Sequence, residues 1–186
     1  MNKPKFDIAV IARNEAETLP RLVGSVKEFM DRGGAFWVLD TGSTDNTIQV
    51  AESLGCKVVA VGDKFKIKID EELANKINTK FIVEGEAPVV NAGDSLFDFA
   101  SARNYIATFP ESDWIWMPDC DEVFTALNLD EVDKAISEPG VTGLEYEFVF
   151  SHDPQNRPVI KFRHQKMYNR KIEEWRGIIH EILYQK

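Results

Sequence analysis

The sequence predicts an α/β fold, in which helices flank a mostly parallel sheet and a smaller antiparallel part follows towards the C-terminus. Short apolar runs alternate with amphipathic helical segments through the first third of the chain, which is typical of parallel strands joined by helical crossovers. Further along, apolar and polar residues alternate, which indicates half-buried antiparallel strands. With 186 residues, 44% of them apolar, we expect residues 1–186 to form a single domain.

The first third supplies a strand, a helix, a strand, a helix and a strand in turn. We predict strands at residues 6–12, 35–39 and 56–61, and helices at residues 19–29 and 44–54. Parallel strands connected in this way need right-handed crossovers, which cover both faces of the sheet. Ligands in such sheets bind beyond the carboxyl ends of the strands, so the loops after the strands should carry the site.

Residues 62–93 interrupt this order and are predicted to be an insertion. Long excursions of this kind serve as lids or binding loops, and a surface hairpin without a role is an equal alternative. The remaining elements are predicted as a helix, a strand, a second helix and three antiparallel strands, at residues 97–109, 114–118, 129–136, 144–150, 159–163 and 175–183.

Two aspartates separated by one residue follow the strand predicted at residues 114–118. In an extended backbone, residues i and i+2 point to the same side, so the carboxylates of Asp119 and Asp121 can converge on one point. Hard cations such as Mg²⁺ and Mn²⁺ prefer oxygen ligands, and a cation bound to phosphates takes only one or two protein carboxylates. The pair therefore predicts a metal site, with a solvated acidic turn as the alternative.

Charge and cysteine content narrow the class of protein. A net charge of −9 and a pI near 4.9 argue against broad binding of nucleic acids or anionic membranes, although the basic cluster at residues 161–171 can bind phosphate. Neither a signal-peptide pattern nor an apolar run of membrane-spanning length occurs, so we expect a cytoplasmic protein without a transmembrane segment. Cys56 and Cys120 lack zinc-site spacing and are expected to be free thiols.

Three short motifs point to hydrolases and are outweighed by their context. Residues 38–44 copy the active-site string of aspartic proteases, but those enzymes need two such aspartates, from a duplicated lobe or a homodimer. Residues 119–123 resemble the nucleophile motif of haloacid-dehalogenase-type phosphatases, which opens that fold, whereas here it comes late in the chain. The Gly-x-Ser string at Gly42 lacks the second glycine of a nucleophile elbow.

Five strings occur in order along the chain: Ile-Ala-Arg-Asn-Glu, Leu-Asp-Thr-Gly-Ser-Thr-Asp-Asn-Thr, Phe-Asp-Phe-Ala-Ser-Ala-Arg-Asn, Trp-Met-Pro-Asp-Cys-Asp-Glu and Trp-Arg-Gly-Ile-Ile-His-Glu. In this order and spacing they resemble glycosyltransferase family 2, whose members have the Rossmann-like GT-A fold. The resemblance spans residues 6–183 apart from the insertion. Two departures are that Thr41 replaces the second aspartate of the common Asp-Asp-Gly-Ser string and that the insertion is long for its position.

The resemblance implies a metal-dependent enzyme that transfers a sugar from a nucleotide-diphosphate sugar to an acceptor hydroxyl, with inversion. The donor it implies is a UDP-sugar such as UDP-glucose, and the acceptor is an unknown glycan, protein or small molecule. The usual acceptor-side region after the last string is missing, so we expect an acceptor site that is minimal, that a second copy of the chain or a partner domain supplies, or that is lost with a truncation. Alternatives are a catalytically idle module that binds a sugar nucleotide or glycan, and a nucleotidyltransferase, whose Gly-rich basic loop is absent after the first strand.

The resemblance also implies roles for particular residues. Mn²⁺ or Mg²⁺ is implied at Asp121, with Asp119 and His180 as further metal contacts. Glu181 and Glu122 are the candidate bases, and Asp121 counts as catalytic through the metal. Donor contacts are implied at Ala12, Arg13, Asn14, Glu15, Asp40, Gly42, Ser43, Arg103, Asp119 and Cys120. Structural roles stay open as alternatives: a helix cap for Asp40, a helix-start charge for Glu15, a surface ion pair for Arg103 and a core position for His180.

Overall fold

The computed structural model describes residues 2–81, 87–178 and 180–186. Its strands are β1 (Phe6–Ala12), β2 (Phe36–Asp40), β3 (Lys57–Ala60), β4 (Lys66–Lys68), β5 (Ser95–Phe97), β6 (Trp114–Trp116), β7 (Gly143–His152), β8 (Pro158–Asn169), β9 (Glu173–Arg176) and β10 (Ile182–Gln185). Its helices are α1 (Leu19–Ser25), α2 (Lys27–Asp31), α3 (Thr47–Ser53), α4 (Glu71–Phe81), α5 (Phe99–Ile106) and α6 (Leu129–Ala135). The predicted α/β class is confirmed.

The central sheet has six strands in the order β3-β2-β1-β6-β8-β7. The first four run parallel, and β8 and β7 are antiparallel additions at one edge. The register places Ala12, at the end of β1, beside Asp40, at the end of β2, whereas Trp116, at the end of β6, lies beside Ile8. The chain after β6 continues towards the end of β1, where Cys120 contacts the carbonyl oxygen of Ile11. Three of the predicted strand-end loops therefore meet at one edge of the sheet.

Apolar side chains cover both faces of the parallel strands. Along β1, alternate residues point to opposite faces, because a strand has a side-chain period of two. One face packs against α1, α2 and α6, in a cluster that includes Phe6, Ile8, Val10, Leu22, Phe29 and Leu129. The other face packs against α5, in a cluster that includes Ala9, Leu39, Ala102, Ile106, Ile115 and Tyr168. The site therefore rests on a rigid, buried sheet.

Several predicted boundaries differ from the structure. The helix expected at residues 19–29 is two short helices that meet at Val26, where the backbone leaves the helical region at φ −112° and ψ 23°. The helix expected at residues 44–54 begins at Thr47, and Gly55, at φ 81°, follows its C-cap as predicted.

The strand predicted at residues 175–183 is wrong. Strands β9 and β10 pair there as an antiparallel hairpin, with Trp175 opposite Leu183. Gly177 at φ 100° and His180 at φ 56° take left-handed conformations between the two strands, which an uninterrupted strand cannot contain. The chain therefore turns between Arg176 and Ile182 and carries Glu181 back towards the sheet.

The insertion predicted at residues 62–93 contains β4, α4 and the loop that leads into β5, with β4 and β5 paired antiparallel. Residues 82–86 of the predicted segment lie outside the described residues. Within the part of the chain that the structure describes, no helix has the length and apolar character needed to cross a bilayer.

Candidate active site

The loops after β1 and β2 are joined by hydrogen bonds. Asn14, at φ 57°, donates its backbone N–H to Ser43 Oγ (2.9 Å), and its side-chain Oδ1 accepts the backbone N–H of Thr44 (2.7 Å). The backbone N–H of Glu15 donates to the buried Thr47 Oγ1 at 2.8 Å. The structure thus brings together residues 12–15 and 40–43, which lie far apart in the sequence.

The departure from the family's string at Thr41 is accommodated inside this junction. Thr41 is buried, and both its backbone N–H (3.0 Å) and its hydroxyl (3.1 Å) donate to the carbonyl oxygen of Ala12. Arg13, by contrast, is exposed and forms an ion pair with Asp63 at 3.4 Å. Ala12 therefore contributes backbone structure, and Arg13 lies at the rim of the site.

Asp40 holds one carboxylate oxygen in place and leaves the other available. Oδ1 accepts the backbone N–H groups of Gly42 (3.0 Å) and Ser43 (3.1 Å). Oδ2 is buried and has no hydrogen-bond partner among the described residues. Because buried polar atoms are nearly always paired in native proteins, this oxygen indicates a missing donor. The alternative that Asp40 caps the following helix is wrong, since α3 begins only at Thr47.

The turn at residues 119–122 replaces the extended backbone that the sequence predicted. The backbone N–H of Glu122 donates to the carbonyl oxygen of Asp119 at 3.1 Å, and the thiol of the buried Cys120 donates to the carbonyl oxygen of Ile11 at 3.3 Å. Asp121 is exposed and makes no ion pair or hydrogen bond within the described residues. The expected convergence through an extended backbone is therefore wrong, and the two aspartates have different surroundings.

Arg103 lies buried beneath this turn. Its Nη2 donates to Asp119 Oδ1 at 2.8 Å, its Nε donates to Glu181 Oε1 at 2.7 Å, and its Nη1 makes a longer bond of 3.4 Å to the carbonyl oxygen of Met117. The guanidinium carbon lies 4.9 Å from the centre of the Trp175 ring. The alternative of a surface ion pair is wrong, because the side chain of Arg103 is only 6% exposed.

Lys166 on β8 is a site residue that the sequence analysis missed. Its ammonium pairs with Asp119 Oδ2 at 2.5 Å and also with Glu122 Oε1, while the hydroxyl of Tyr146 donates to Glu122 Oε2 at 2.8 Å. One signal was present in the sequence: the apolar face of β8 continues from Phe162 through His164 to Lys166, and a lysine on such a face needs a carboxylate partner.

Glu122 is consequently enclosed rather than open to solvent. Its side chain is 6% exposed, and both of its oxygens accept hydrogen bonds, with Oε1 also accepting the backbone N–H of Asp119 at 3.1 Å. Glu181 differs, because Oε1 pairs with Arg103 while Oε2 has no hydrogen-bond partner in the described chain. The two candidate bases named from the sequence therefore have unequal access to a substrate.

The predicted metal set of Asp119, Asp121 and His180 is not assembled. Across residues 2–81, 87–178 and 180–186, no three His, Cys, Asp or Glu side chains form a group that could hold a metal ion. His180 lies exposed at its left-handed turn, so the alternative of a core histidine is also wrong. Both oxygens of Asp119 are already paired with cations. Asp121 is left as the free carboxylate of the set.

The charges of the site shift the pKa values of its members. Burial would raise the pKa of Asp119, but Lys166 and Arg103 outweigh it and hold the pKa below its ordinary value. Burial would likewise lower the pKa of Arg103, and Asp119 and Glu181 raise it on balance. Asp119 and Arg103 therefore stay charged at neutral pH.

The pKa of the Cys120 thiol reflects the carboxylates around the turn. Burial raises the pKa of its thiol, and the negative charges of Glu15, Asp119 and Asp121 raise it further. Acidic side chains outnumber basic ones around the 119–122 turn. The acidic ones are Glu15, Asp119, Asp121, Glu122 and Glu181, and the basic ones are Arg103 and Lys166. The site therefore has room for further positive charge.

One cavity lies away from these residues. It has a volume of about 480 Å³ and is lined by residues such as Asn104, Tyr168, Arg170 and Lys186. Arg170 donates its backbone N–H to the carbonyl oxygen of Asp113, which precedes β6, so the cavity is at the amino end of that strand. We assign the site to the carboxyl ends of the strands, because the unpaired Oδ2 of Asp40 and the buried cations Arg103 and Lys166 lie there.

Comparison with known proteins gives a TPR repeat-containing protein and several proteins named glycosyltransferases. No family model matches the chain. A TPR repeat-containing protein of Synechococcus elongatus is 27% identical over 181 residues, which cover 91% of this chain and 36% of that protein. An uncharacterized glycosyltransferase of Rickettsia bellii is 23% identical over 94% of this chain and 49% of its own length. One of Rickettsia conorii is 40% identical over 32% of this chain and 21% of its own length. The chain thus spans between a third and a half of the first two relatives.

Solved structures overlap in part. S. aureus TarS in complex with UDP is 18% identical, with a TM-score of 0.47 over 74% of this chain and 32% of that one. Glucosyl-3-phosphoglycerate synthase from Mycobacterium tuberculosis, with Mn²⁺, UDP and glucosyl-3-phosphoglycerate, is 22% identical, with a TM-score of 0.40 over 63% and 33%. The sheet order described above and the Rickettsia relatives support the predicted fold of the glycosyltransferase family 2 type.

Proposed function

We propose that this chain is a glycosyltransferase that takes a sugar from a nucleotide-diphosphate donor and transfers it to an acceptor hydroxyl. The finer parts of the proposal are a UDP-sugar such as UDP-glucose as donor, Mn²⁺ or Mg²⁺ as cofactor, and inversion at the anomeric carbon. The curated relatives named glycosyltransferases support the class of reaction. The acceptor, whether a glycan, a protein or a small molecule, belongs to the proposal only as a hydroxyl group.

The observation that carries the proposal is the unpaired Oδ2 of Asp40. A nucleotide base offers a ring N–H, and that donor would satisfy this buried oxygen. The joined loops around Asn14 and Ser43 fix the carboxylate before any ligand arrives. Glu15 lies on the same pair of loops and is proposed to contact the ribose or base. A preorganised acceptor for a base N–H supports a nucleotide in the site.

The donor set fits a metal ion that is held mainly by phosphates. Asp121 offers a free carboxylate, and no three-residue protein set exists in the described chain. Mg²⁺ and Mn²⁺ at nucleotide phosphates typically use one or two carboxylates. When bound beside Asp121, such an ion would supply positive charge for the departing nucleoside diphosphate. The excess of carboxylates around Cys120 supports this need, because a diphosphate would otherwise be repelled.

Glu181 is the better candidate for the base. A base must be within hydrogen-bond reach of the hydroxyl that it deprotonates, and Glu122 has both oxygens occupied within the protein. Arg103 holds Glu181 through Oε1 and leaves Oε2 for the acceptor hydroxyl. Arg103 also holds Asp119, so we assign Arg103 to the ordering of the site around the diphosphate.

The geometry disfavours one of the two alternatives and leaves the other to a turnover measurement. A phosphatase that uses Asp119 as a nucleophile is disfavoured, because both oxygens of Asp119 are paired with cations and Asp119 lies on a turn late in the chain. A catalytically idle nucleotide-binding module would share the Asp40 and Glu15 contacts but would not turn over a donor. Only a turnover measurement distinguishes that module from the enzyme.

The first test is a thermal-shift screen of UDP, GDP and dTDP, and of their sugars, with and without Mn²⁺. A ligand that binds only the native state adds about 2.7 kcal/mol at a concentration of one hundred times its Kd. We expect UDP with Mn²⁺ to raise the Tm. If none of the three nucleotides moves the Tm in the presence of metal, the proposal is wrong.

The second test is turnover, measured as release of UDP from a UDP-sugar. In Asp121→Ala we expect metal-dependent release to fall by about 100-fold or more, since a catalytic metal contributes several kcal/mol. Asp121 is exposed and unpaired within the described chain, so the Tm should not change. Asp113→Ala, at the other end of β6, is the matched control and should retain release. Nucleotide binding without release in the wild type would support the idle module instead.

A further inference from the structure

The turn that carries Asp121 is held by hydrogen bonds within itself and by contacts with β1, with β7 and β8, and with Arg103 of α5. Within the turn, the backbone N–H of Asp119 donates to Glu122 Oε1 and the backbone N–H of Glu122 donates to the carbonyl oxygen of Asp119, both at 3.1 Å. Towards β1, the thiol of Cys120 donates to the carbonyl oxygen of Ile11. Towards the antiparallel strands, Tyr146 and Lys166 reach the two acidic side chains.

Two cations contact this turn: Arg103 pairs with Asp119 Oδ1, and Lys166 pairs with both Asp119 and Glu122. The side chain of Lys166 is 4% exposed, and its ammonium lies between Asp119 Oδ2 and Glu122 Oε1. Two carboxylates three residues apart repel each other across a turn, and one of them, Glu122, is buried. Removing one partner of a buried ion pair leaves a charge without compensation, so the turn could not keep its shape without the ammonium.

The position of Asp121 depends on this turn. Asp121 makes no hydrogen bond or ion pair of its own in the described chain, so its carboxylate is placed only by the backbone on either side. The two neighbouring residues are Cys120, which contacts the carbonyl oxygen of Ile11, and Glu122, which pairs with Lys166.

We propose that Lys166 is a positioning residue, whose bridge between Asp119 and Glu122 holds the 119–122 turn in the form that presents Asp121 to the donor and its metal. The enclosed ammonium acts through the two carboxylates and does not itself touch the donor. The part that concerns the donor rests on the proposed function. The part that concerns the shape of the turn does not.

The two cysteines allow the turn to be tested without any ligand. Cys120 lies within the turn and Cys56 lies just before β3, and both are buried free thiols. In Lys166→Met we expect labelling of Cys120 by a small thiol reagent, followed by mass spectrometry of its peptide, to accelerate about tenfold or more, because local opening exposes it. Labelling of Cys56 should stay at the wild-type rate.

Two matched variants control this measurement. Lys166→Arg keeps the charge and should return Cys120 labelling to within about threefold of wild type. Lys161→Met removes a lysine from the same strand, where it pairs with Glu147 on the opposite face, and should change neither rate. If Cys120 stays as protected in folded Lys166→Met as in wild type, the proposal is overturned.

If both cysteines are labelled faster in Lys166→Met, the whole fold has opened and the milder Lys166→Gln decides. Its amide can still donate to one carboxylate. Faster labelling of Cys120 alone in that variant supports the positioning role, and unchanged labelling overturns it.

Nucleotide binding then tests the connection to Asp121. In Lys166→Met we expect the Kd for UDP in the presence of Mn²⁺ to rise about tenfold, with UDP binding in the absence of metal unchanged, and Lys166→Arg to restore the metal-dependent part. An equal loss with and without Mn²⁺ would overturn a role through Asp121. If wild type binds no nucleotide at all, the proposed function fails, whereas the labelling result still decides the role of Lys166 in the turn.

Discussion

The parallel and antiparallel halves of the central sheet differ in how far their apolar side chains are buried. In the parallel half, Phe6 and Ile8 of β1 are fully buried between helices. In the antiparallel half, Phe150 on β7 is 66% exposed and Phe162 on β8 is 43% exposed. Helical crossovers cover the first half, whereas β7 and the first part of β8 extend beyond them. The buried half supplies a fixed frame, and the other half adds side chains to it.

The two halves also contribute differently to the site. The parallel half contributes the loops with Asp40 and Asp121, and the antiparallel half contributes Lys166 and Tyr146, which pair with carboxylates from those loops. In the proposed site, the first half supplies the groups that would meet a ligand, and the second half contributes side chains that hold them. Two matched pairs of substitutions and one pair of carboxyl groups test this division.

The largest effect is expected in the core. Phe6→Ala removes a ring that packs on Phe29 at 5.0 Å and on Trp116 at 6.0 Å between centroids, and it should cost about 3–5 kcal/mol of unfolding free energy. Phe162→Ala removes an exposed ring that lies 5.2 Å from Phe148 and should cost about 0.5 kcal/mol. Urea unfolding of both variants gives the two values. Similar losses of unfolding free energy in the two variants would show that the β7–β8 hairpin is not the weakly packed half.

A smaller effect is expected at a pair of threonine hydroxyls. Thr47→Val leaves the backbone N–H of Glu15 without its acceptor in a buried position and should cost about 1–3 kcal/mol. Thr142→Val removes a donor to Glu173, which still accepts from Gln165, and should cost about 0.5–1 kcal/mol. Equal costs from urea unfolding would contradict the view that the joined loops of the parallel half are the more constrained part.

The smallest effects are expected from two carboxyl groups in turns. A hydrogen bond from the side chain of Thr47 holds the pKa of Asp45 below its ordinary value of 3.8. In the turn between β7 and β8, hydrogen bonds from the backbone N–H and the guanidinium of Arg157 lower the pKa of Asp153. Because a lowered folded pKa favours the charged form, each contribution to stability is present above about pH 3.9, the pKa expected in the unfolded chain, and is lost as the pH falls through the folded pKa.

Salt distinguishes the two carboxyl groups. Raising the ionic strength should move the pKa of Asp153 towards its ordinary value, since part of its shift comes from the charged Arg157, while Asp45, held by neutral donors, should move less. Carboxyl chemical shifts followed by NMR titration measure both. A larger salt response at Asp45 would contradict this assignment.

The sequence predicted the parallel half well, because each motif directly follows the strand that positions it. The ends of β1 and β2 place Ala12 beside Asp40, so adjacency in the sheet follows from topology. Asp121, the free carboxylate, was named for the same reason. The turn at residues 119–122 was named only as the alternative, since the Asp-x-Asp spacing suits both an extended backbone and a turn.

Partners that come from distant strands were not predictable in this way. Lys166 meets Glu122 from 44 residues away, and the basic cluster around it indicated only a phosphate contact. The hairpin of β9 and β10 was also missed, although Gly177 lies between two apolar stretches and an isolated glycine in a strand pattern indicates a break. That turn brings Glu181 to Arg103, a pairing that depends on tertiary structure alone.

The guanidinium above Trp175 gives the site an optical label of its own. The chain has four tryptophans, and the indole of Trp175 is buried beneath a cation that also holds Asp119 and Glu181. Indole emission responds to a nearby charge, so any event that draws Arg103 away from the ring changes the fluorescence of one tryptophan. A ligand that displaces Arg103 would therefore be followed in real time with the unlabelled protein, in a stopped-flow instrument.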